Sequence, residues 1–172
     1  MPRTAGFNAI DYAQARDGTL LGTCVLMFIG GGSAGTAGGI KVTTFVLLFW
    51  AIWAEVRGDR DIEVHARRID DRAVRQALTV ALLSVAAVIG STLILVQVTD
   101  FEPHVLLFEA TSAFATVGLS TGITASLPGG GQVLLIILMF LGRLGPVTLV
   151  SALALRERGK LHRLPEGRPI IG

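Results

Sequence analysis

The feature that most limits how this chain can fold is an apolar run too long and too rich in glycine to be one helix. Thr19 to Ile29 is apolar, Gly30 to Gly39 follows, then Ile40-Lys41, and Val42 to Ala54 is apolar again. As one straight helix the run would be roughly 50 Å long at 1.5 Å per residue, well beyond the roughly 30 Å hydrocarbon core of a bilayer. Six of the ten residues from Gly30 to Gly39 are glycine, and each costs a helix interior about 1 kcal/mol relative to alanine. The run therefore breaks in its middle. Irregular backbone at membrane depth persists only where protein or water satisfies its amides, so this segment is expected to be an intramembrane loop beside an aqueous path.

Composition supports the membrane setting. Of 172 residues, 51% are hydrophobic and 16% charged, with a mean hydropathy of +0.63; a soluble domain of this size carries more charge. The net charge of +2 does not point to nucleic acid, because the basic residues fall in two blocks instead of covering a surface, as in cytoplasmic loops. Cys24 is the only cysteine and sits in an apolar run, so one chain offers no disulfide framework or thiolate site, and an inert buried thiol is expected. His65, His104 and His162 are isolated and form no ligand set. Met1-Pro2-Arg3 leads into a turn-rich segment instead of a secretory h-region, so insertion is expected to rely on the later helices.

Taken in order, residues 1–18 are polar and turn-rich and cannot span. The block from Glu55 to Arg75 carries Arg57, Arg60, Arg67, Arg68, Arg72 and Arg75, which the positive-inside rule places in the cytoplasm. Ala77 to Val98 has no charge and is long enough to carry the chain back out. Asp100 and Glu102 sit in an outer connection without Lys or Arg, and Pro103 suits the first turn of a helix. That helix, roughly Pro103 to Ala115, is too short to cross and directs its partially negative C-terminus at Thr116-Val117-Gly118, which favours a cation there. A polar, Gly-rich return from Ser120 to Gln132 precedes a last apolar helix from about Val133 to Leu155. Its basic tail, with Arg156, Arg158, Lys160, Arg163 and Arg168, is again cytoplasmic.

A short apolar helix running into a Gly-centred turn can present main-chain oxygens that replace a cation's hydration shell. The working atoms are expected at Thr116, Val117, Gly118 and Leu119, where Gly118 permits a φ that a side chain resists and Thr111 and Ser112 can brace the turn. Thr4, Ala5, Gly6 and Phe7 repeat the same order near the start. Thr-Val-Gly alone reads rather as an ordinary turn between helices; the short helix, its place between two spanning segments and the second copy reverse that in favour of the filter. Gly35 to Lys41 superficially suggests a phosphate-binding loop, but Ile40 precedes Lys41 and Val42 follows it, whereas that motif needs Gly before the Lys and Ser or Thr after it. Arg143, between Gly142 and Leu144-Gly145, is costly in a membrane helix and is expected to face a polar path or to hold helix-end carbonyls. Lys41 is similar but closer to the cytoplasmic face, where snorkelling is available. Glu109 is expected to make a structural hydrogen bond behind the turn.

Four stretches in this order, Arg3 to Asn8, Met27 to Lys41, Ser112 to Ser120 and Met139 to Pro146, resemble the Trk/Ktr/HKT superfamily of cation transporters, specifically the C-terminal portion of its KtrB/TrkH-type ion-translocating subunits. The resemblance covers essentially the whole chain. It implies an all-α integral membrane fold, in which helix/P-loop/helix repeats build a potassium-channel-like pore. Residues 1–57 would be the end of the third repeat, with its broken helix; 58–75 a cytoplasmic loop; 76–158 the complete fourth repeat; and 159–172 a cytoplasmic tail. The first two repeats are then expected outside this sequence.

The resemblance further implies potassium uptake without chemical catalysis, since a glycine in each filter strand accompanies potassium preference in the family. Potassium would bind at Thr4, Ala5, Gly6, Phe7, Thr116, Val117, Gly118 and Leu119. The gate would be Gly30, Gly31, Gly32, Ser33, Ala34, Gly35, Thr36, Ala37, Gly38 and Gly39, with Lys41 and Arg143 shaping the pore field. No cofactor is expected on this chain, although transport coupled to Na+ or H+ is open. The expected setting is a multi-pass homodimer in the bacterial cell membrane, surrounded by lipid, on a cytosolic nucleotide-binding ring of KtrA/TrkA type reached through residues 55–75 and 156–172. No nucleic acid partner is expected. The competing reading is an incomplete chain that inserts without transporting and serves only as an assembly segment.

Overall fold

The computed structural model describes Gly6 and residues 12–32, 37–58, 63–64 and 67–144. Thr4, Ala5, Phe7, Ser33, Ala34, Gly35, Thr36 and the basic tail lie outside the described residues. Five α-helices are present among those described: α1 (Asp17–Phe28), α2 (Val42–Arg57), α3 (Asp71–Val98), α4 (Pro103–Phe114) and α5 (Gly129–Leu144). Between α2 and α3 the described residues include a two-residue antiparallel ribbon of β1 (Glu63–Val64) and β2 (Arg67–Arg68).

The long apolar run does break where its glycines fall. Phe28 ends α1 and Lys41 caps α2, so the two helices are roughly 18 and 24 Å long. The chain does not simply reverse between them. Ile29 and Ile40 form a parallel bridge, held by Gly30 N–H donating to the Ile40 carbonyl (2.8 Å) and Ile40 N–H to the Phe28 carbonyl (3.2 Å), and Val42 N–H reaches the Gly31 carbonyl (3.2 Å). Because the bridged segments run parallel, the loop between them is an excursion with a closed neck, after which the chain resumes its direction.

α3 is long and apolar enough to cross a membrane. Asp70 caps it by accepting from Arg72 N–H. Its buried positions, Ala77, Val80, Ser84, Val88, Ser91 and Leu95, follow helical spacing, while Leu78, Leu82, Val85, Ile89 and Leu93 are exposed, the arrangement of one packed face and one lipid face. Ser84 and Thr92 hydroxyls donate to the carbonyls four residues back, which keeps them satisfied in apolar surroundings. On α2, Phe45, Phe49, Trp50 and Trp53 are exposed, and the Arg57 guanidinium lies over the Trp53 ring at 5.1 Å. Aromatic rings beside a basic helix end suit a membrane–water boundary.

α4 is the centre of the molecule. It packs against α1, α3 and α5, and every residue from Phe108 to Phe114 is buried. Twelve residues give roughly 18 Å, too short to cross. Leu20, Thr23, Cys24 and Met27 form the buried stripe of α1, and Cys24, Met27 and Leu20 share a core cluster with Phe108. Leu135 and Leu138 of α5 and Val88 and Leu95 of α3 meet Leu106, Ala110 and Phe114 on the other side. α5 begins at Gly129, four residues earlier than the hydropathy suggests. The Pro128 carbonyl accepts from both Gly131 and Gln132 N–H, and a Cβ on Gly131 would stand 3.2 Å from Leu95 Cδ2; the glycine turn opens the helix and lets it approach α3.

Candidate functional site: the turn after the buried helix

The end of α4 is wound tightly. Ala115 N–H donates to the Thr111 carbonyl (2.8 Å), Thr116 N–H to Ala113 (3.1 Å) and Val117 N–H to Ser112 (3.0 Å). Beyond them Thr116 has φ +53 and Gly118 φ +85. No hydrogen bond is made to the Thr116, Val117 or Gly118 carbonyl by any described residue. Among the described residues, three successive acceptors are thus left open at the partially negative end of a buried helix, where a cation is favoured. Leu119 differs: its carbonyl accepts from Ser112 Oγ at 2.5 Å, so Ser112 braces the turn at that point, and the Leu119 side chain is buried.

The second Gly-centred copy comes to the same place. Gly6 has φ +66, and a Cβ built on it would lie 3.3 Å from the Val117 carbonyl oxygen and 4.0 Å from Gly118 Cα. The two glycines singled out by sequence thus face each other.

Behind the turn, Glu109 is buried, and its carboxylate is surrounded by donors. Oε1 accepts from Ser120 Oγ (2.7 Å), Thr121 N–H (2.8 Å) and Thr121 Oγ1 (3.0 Å), and Oε2 from Thr124 Oγ1 (3.0 Å). This is the structural role expected of it, extended from one hydrogen bond to four. A side chain that accepts from this many donors ties the chain after the filter turn back to α4.

A cavity of about 490 Å³ opens beside the turn, lined among others by Glu109, Ser112, Thr116, Gly118, Ser120, Met139 and Arg143. Arg143, chosen from sequence for its cost in a membrane helix, is exposed and borders the same space as Thr116 and Gly118. Lys41 sits at the loop instead. Its Nζ donates to the Ala37 carbonyl at 2.7 Å.

The described flanks of the glycine loop rest on the turn. Ala37, Gly38, Gly39 and Ile40 are buried, as is Gly30, and Gly38 N–H donates to Thr116 Oγ1 at 3.0 Å. Side chains are excluded there: a Cβ on Gly38 would lie 2.8 Å from the Phe114 carbonyl oxygen, and one on Gly30 would lie within 3 Å of the Gly38 oxygen. Gly142 of α5 makes the tightest approach, since any Cβ would overlap the Phe114 carbonyl. Sequence reasoning missed the Gly38–Thr116 bond and the Gly142 approach. The local hint was glycine in an apolar run, within a helix for Gly142 and in the break for Gly38, which marks a close approach without naming its partner.

A family model described as "Cation transport protein" (TrkH) matches residues 2–163. The chain is 40% identical over 172 residues to Ktr system potassium uptake protein B of Bacillus subtilis, covering 99% of this chain and 38% of that protein. It is 39% identical to Ktr system potassium uptake protein B of Vibrio alginolyticus, covering 99% and 37%, and 38% identical to the potassium/sodium uptake protein NtpJ of Enterococcus hirae, covering 99% and 39%. The chain thus spans a little over a third of the length of these relatives. It belongs to the TrkH family of cation transport proteins, membrane transporters and not enzymes.

Proposed function

We propose that this chain supplies two strands of a carbonyl-lined potassium filter, together with the glycine loop that gates it, within a longer uptake polypeptide. The observation that carries the reading is the meeting of Gly6 and Gly118, both at positive φ, beside three carbonyls at the end of a buried short helix that bond no described residue. Dehydrated potassium needs several oxygens at once, and a row of uncharged main-chain oxygens provides them without holding the ion too tightly to leave. Two strands enclose only part of an ion, which fits the share of the relatives that the chain covers.

In this reading α1 and α2 form the broken helix of one repeat, and α3, α4 and α5 form the whole of the next. The Arg-rich connection between α2 and α3 faces the cytoplasm. Residues Gly30 to Gly39 are the gate, and Lys41 and Arg143 set the field along the path. A homodimer on a cytosolic nucleotide-binding ring completes the assembly.

The test is rescue of a potassium-uptake-deficient bacterium on low-potassium medium. The whole polypeptide carrying these residues is expected to restore growth, and failure to do so despite membrane insertion would count against transport. A second reading, that residues 1–172 insert without transporting, is favoured by the partial coverage of the relatives. Expression of residues 1–172 alone separates the two: growth would show that this stretch is sufficient, and insertion without growth that it needs the remainder.

A further inference from the structure

We propose that Thr116 is a selectivity-positioning residue whose geometry is held by the glycine loop through the Gly38 N–H to Thr116 Oγ1 hydrogen bond, so that loop and filter turn shift together. The inference rests on reading Gly30 to Gly39 as gate and Thr116 to Gly118 as filter.

Thr116 is the sole non-glycine residue with positive φ among those described. The left-handed region is unfavourable for any residue with a Cβ and more so for a β-branched one. Such a conformation persists where neighbours over-determine it. Two of the restraints near it, Thr116 N–H to Ala113 and Val117 N–H to Ser112, come from α4 itself. The third comes from Gly38, 78 residues away in sequence. Three other amides at the neck of the loop, those of Gly30, Ile40 and Val42, bond within the neck. Gly38 alone among these four turns its N–H outward to the filter turn.

The contact surface is backbone against backbone. A Cβ on Gly38 would lie 2.9 Å from both the Ala115 carbonyl carbon and Thr116 Oγ1, and one on Gly39, at φ +75, 3.1 Å from the Phe28 carbonyl. The side-chain atoms at this seat are Thr116 Oγ1 and Ala115 Cβ, the latter 3.4 Å from a Cβ on Gly39, and the loop cannot withdraw without releasing the Thr116 hydroxyl. Thr116 borders the cavity beside the turn; once released, its side chain can rotate there and the carbonyls on either side lose a restraint. A displaced loop should therefore pass cations less selectively.

The test uses the whole polypeptide in proteoliposomes. Thr116→Val removes the acceptor at nearly constant volume, and Thr116→Ser keeps it. Valine is expected to lower the potassium-to-sodium uptake ratio by roughly five- to tenfold, the span of one hydrogen bond, and serine to restore the ratio to within about twofold of the parent. Loop position is read separately in a Cys24→Ala background carrying Ala37→Cys, by the rate of modification with a membrane-impermeant thiol reagent. The rate is expected to rise with valine and to return with serine. Equal labelling of parent and valine variants overturns the proposal, as does serine failing to rescue. Labelling that rises without a change in selectivity also overturns it, because loop and filter would then move independently. Labelling requires no transport, so it decides the contact even if uptake is absent and the transport reading fails.

Discussion

Gly6 and Gly118 lie against one another: a Cβ added to Gly118 would stand 3.5 Å from Gly6 Cα. That spacing is ordinary van der Waals contact, so room is not what demands glycine at position 118. The backbone does, through φ +85.

Gly118→Ser is therefore expected to disturb conformation more than packing. Leaving the left-handed region relieves about 1–2 kcal/mol of strain and swings the Val117 and Gly118 carbonyls out of line. The potassium-to-sodium uptake ratio should fall by about tenfold, with helical content unchanged by circular dichroism. An unaltered ratio would remove the turn from the filter.

Glu109→Ala should be the most damaging single truncation behind the turn. It strands the donors of Ser120, Thr121 and Thr124 that now converge on one carboxylate. Leaving the buried Thr121 amide and hydroxyl unpaired costs about 1–3 kcal/mol, while the exposed Ser120 and half-buried Thr124 can turn to water. A lowered Tm in detergent is expected, with Glu109→Gln intermediate because its amide oxygen still accepts. Equal Tm for all three proteins would show that the network is not holding the turn.

Gly142→Ala tests the closest helix contact. A methyl there overlaps the Phe114 carbonyl, and overpacking of this kind costs about 1–3 kcal/mol. α5 must move off the end of α4, so both a lower Tm and a raised cation leak are expected. A variant with parental Tm and leak would mean the helices have slack that the structure does not show.

Lys41→Met keeps the apolar stem and removes the donor to Ala37. A hydrogen bond from a charged group contributes about 1.5–3 kcal/mol, enough to change the occupancy of a closed loop by tenfold or more. Under the gate reading, basal rubidium flux through the whole polypeptide should rise. Flux equal to the parent's would separate Lys41 from gating.

Much of this architecture was legible in the residues. The break at Gly30–Gly39, the long α3 and the short α4 beginning at Pro103 all follow from local quantities: runs of hydropathy, glycine's cost in a helix and proline's tolerance at the first turn. The start of α5 was less so, because three consecutive glycines read as loop until Pro128 and Leu95 are seen to accommodate them. Leu119 could be grouped with the filter from its position, but its orientation toward Ser112 could not be seen.

What the sequence by itself determined is the inventory: which segments are helical, where the long apolar run must break, and which two Gly-centred turns resemble each other. The tertiary structure decided how those pieces meet. It set Gly6 against Gly118, Gly38 under Thr116 and Gly142 across Phe114. Hydropathy and propensity act over a few neighbouring residues, whereas these contacts join backbones far apart in the chain. Glycine records that something comes close, and only the fold determines what.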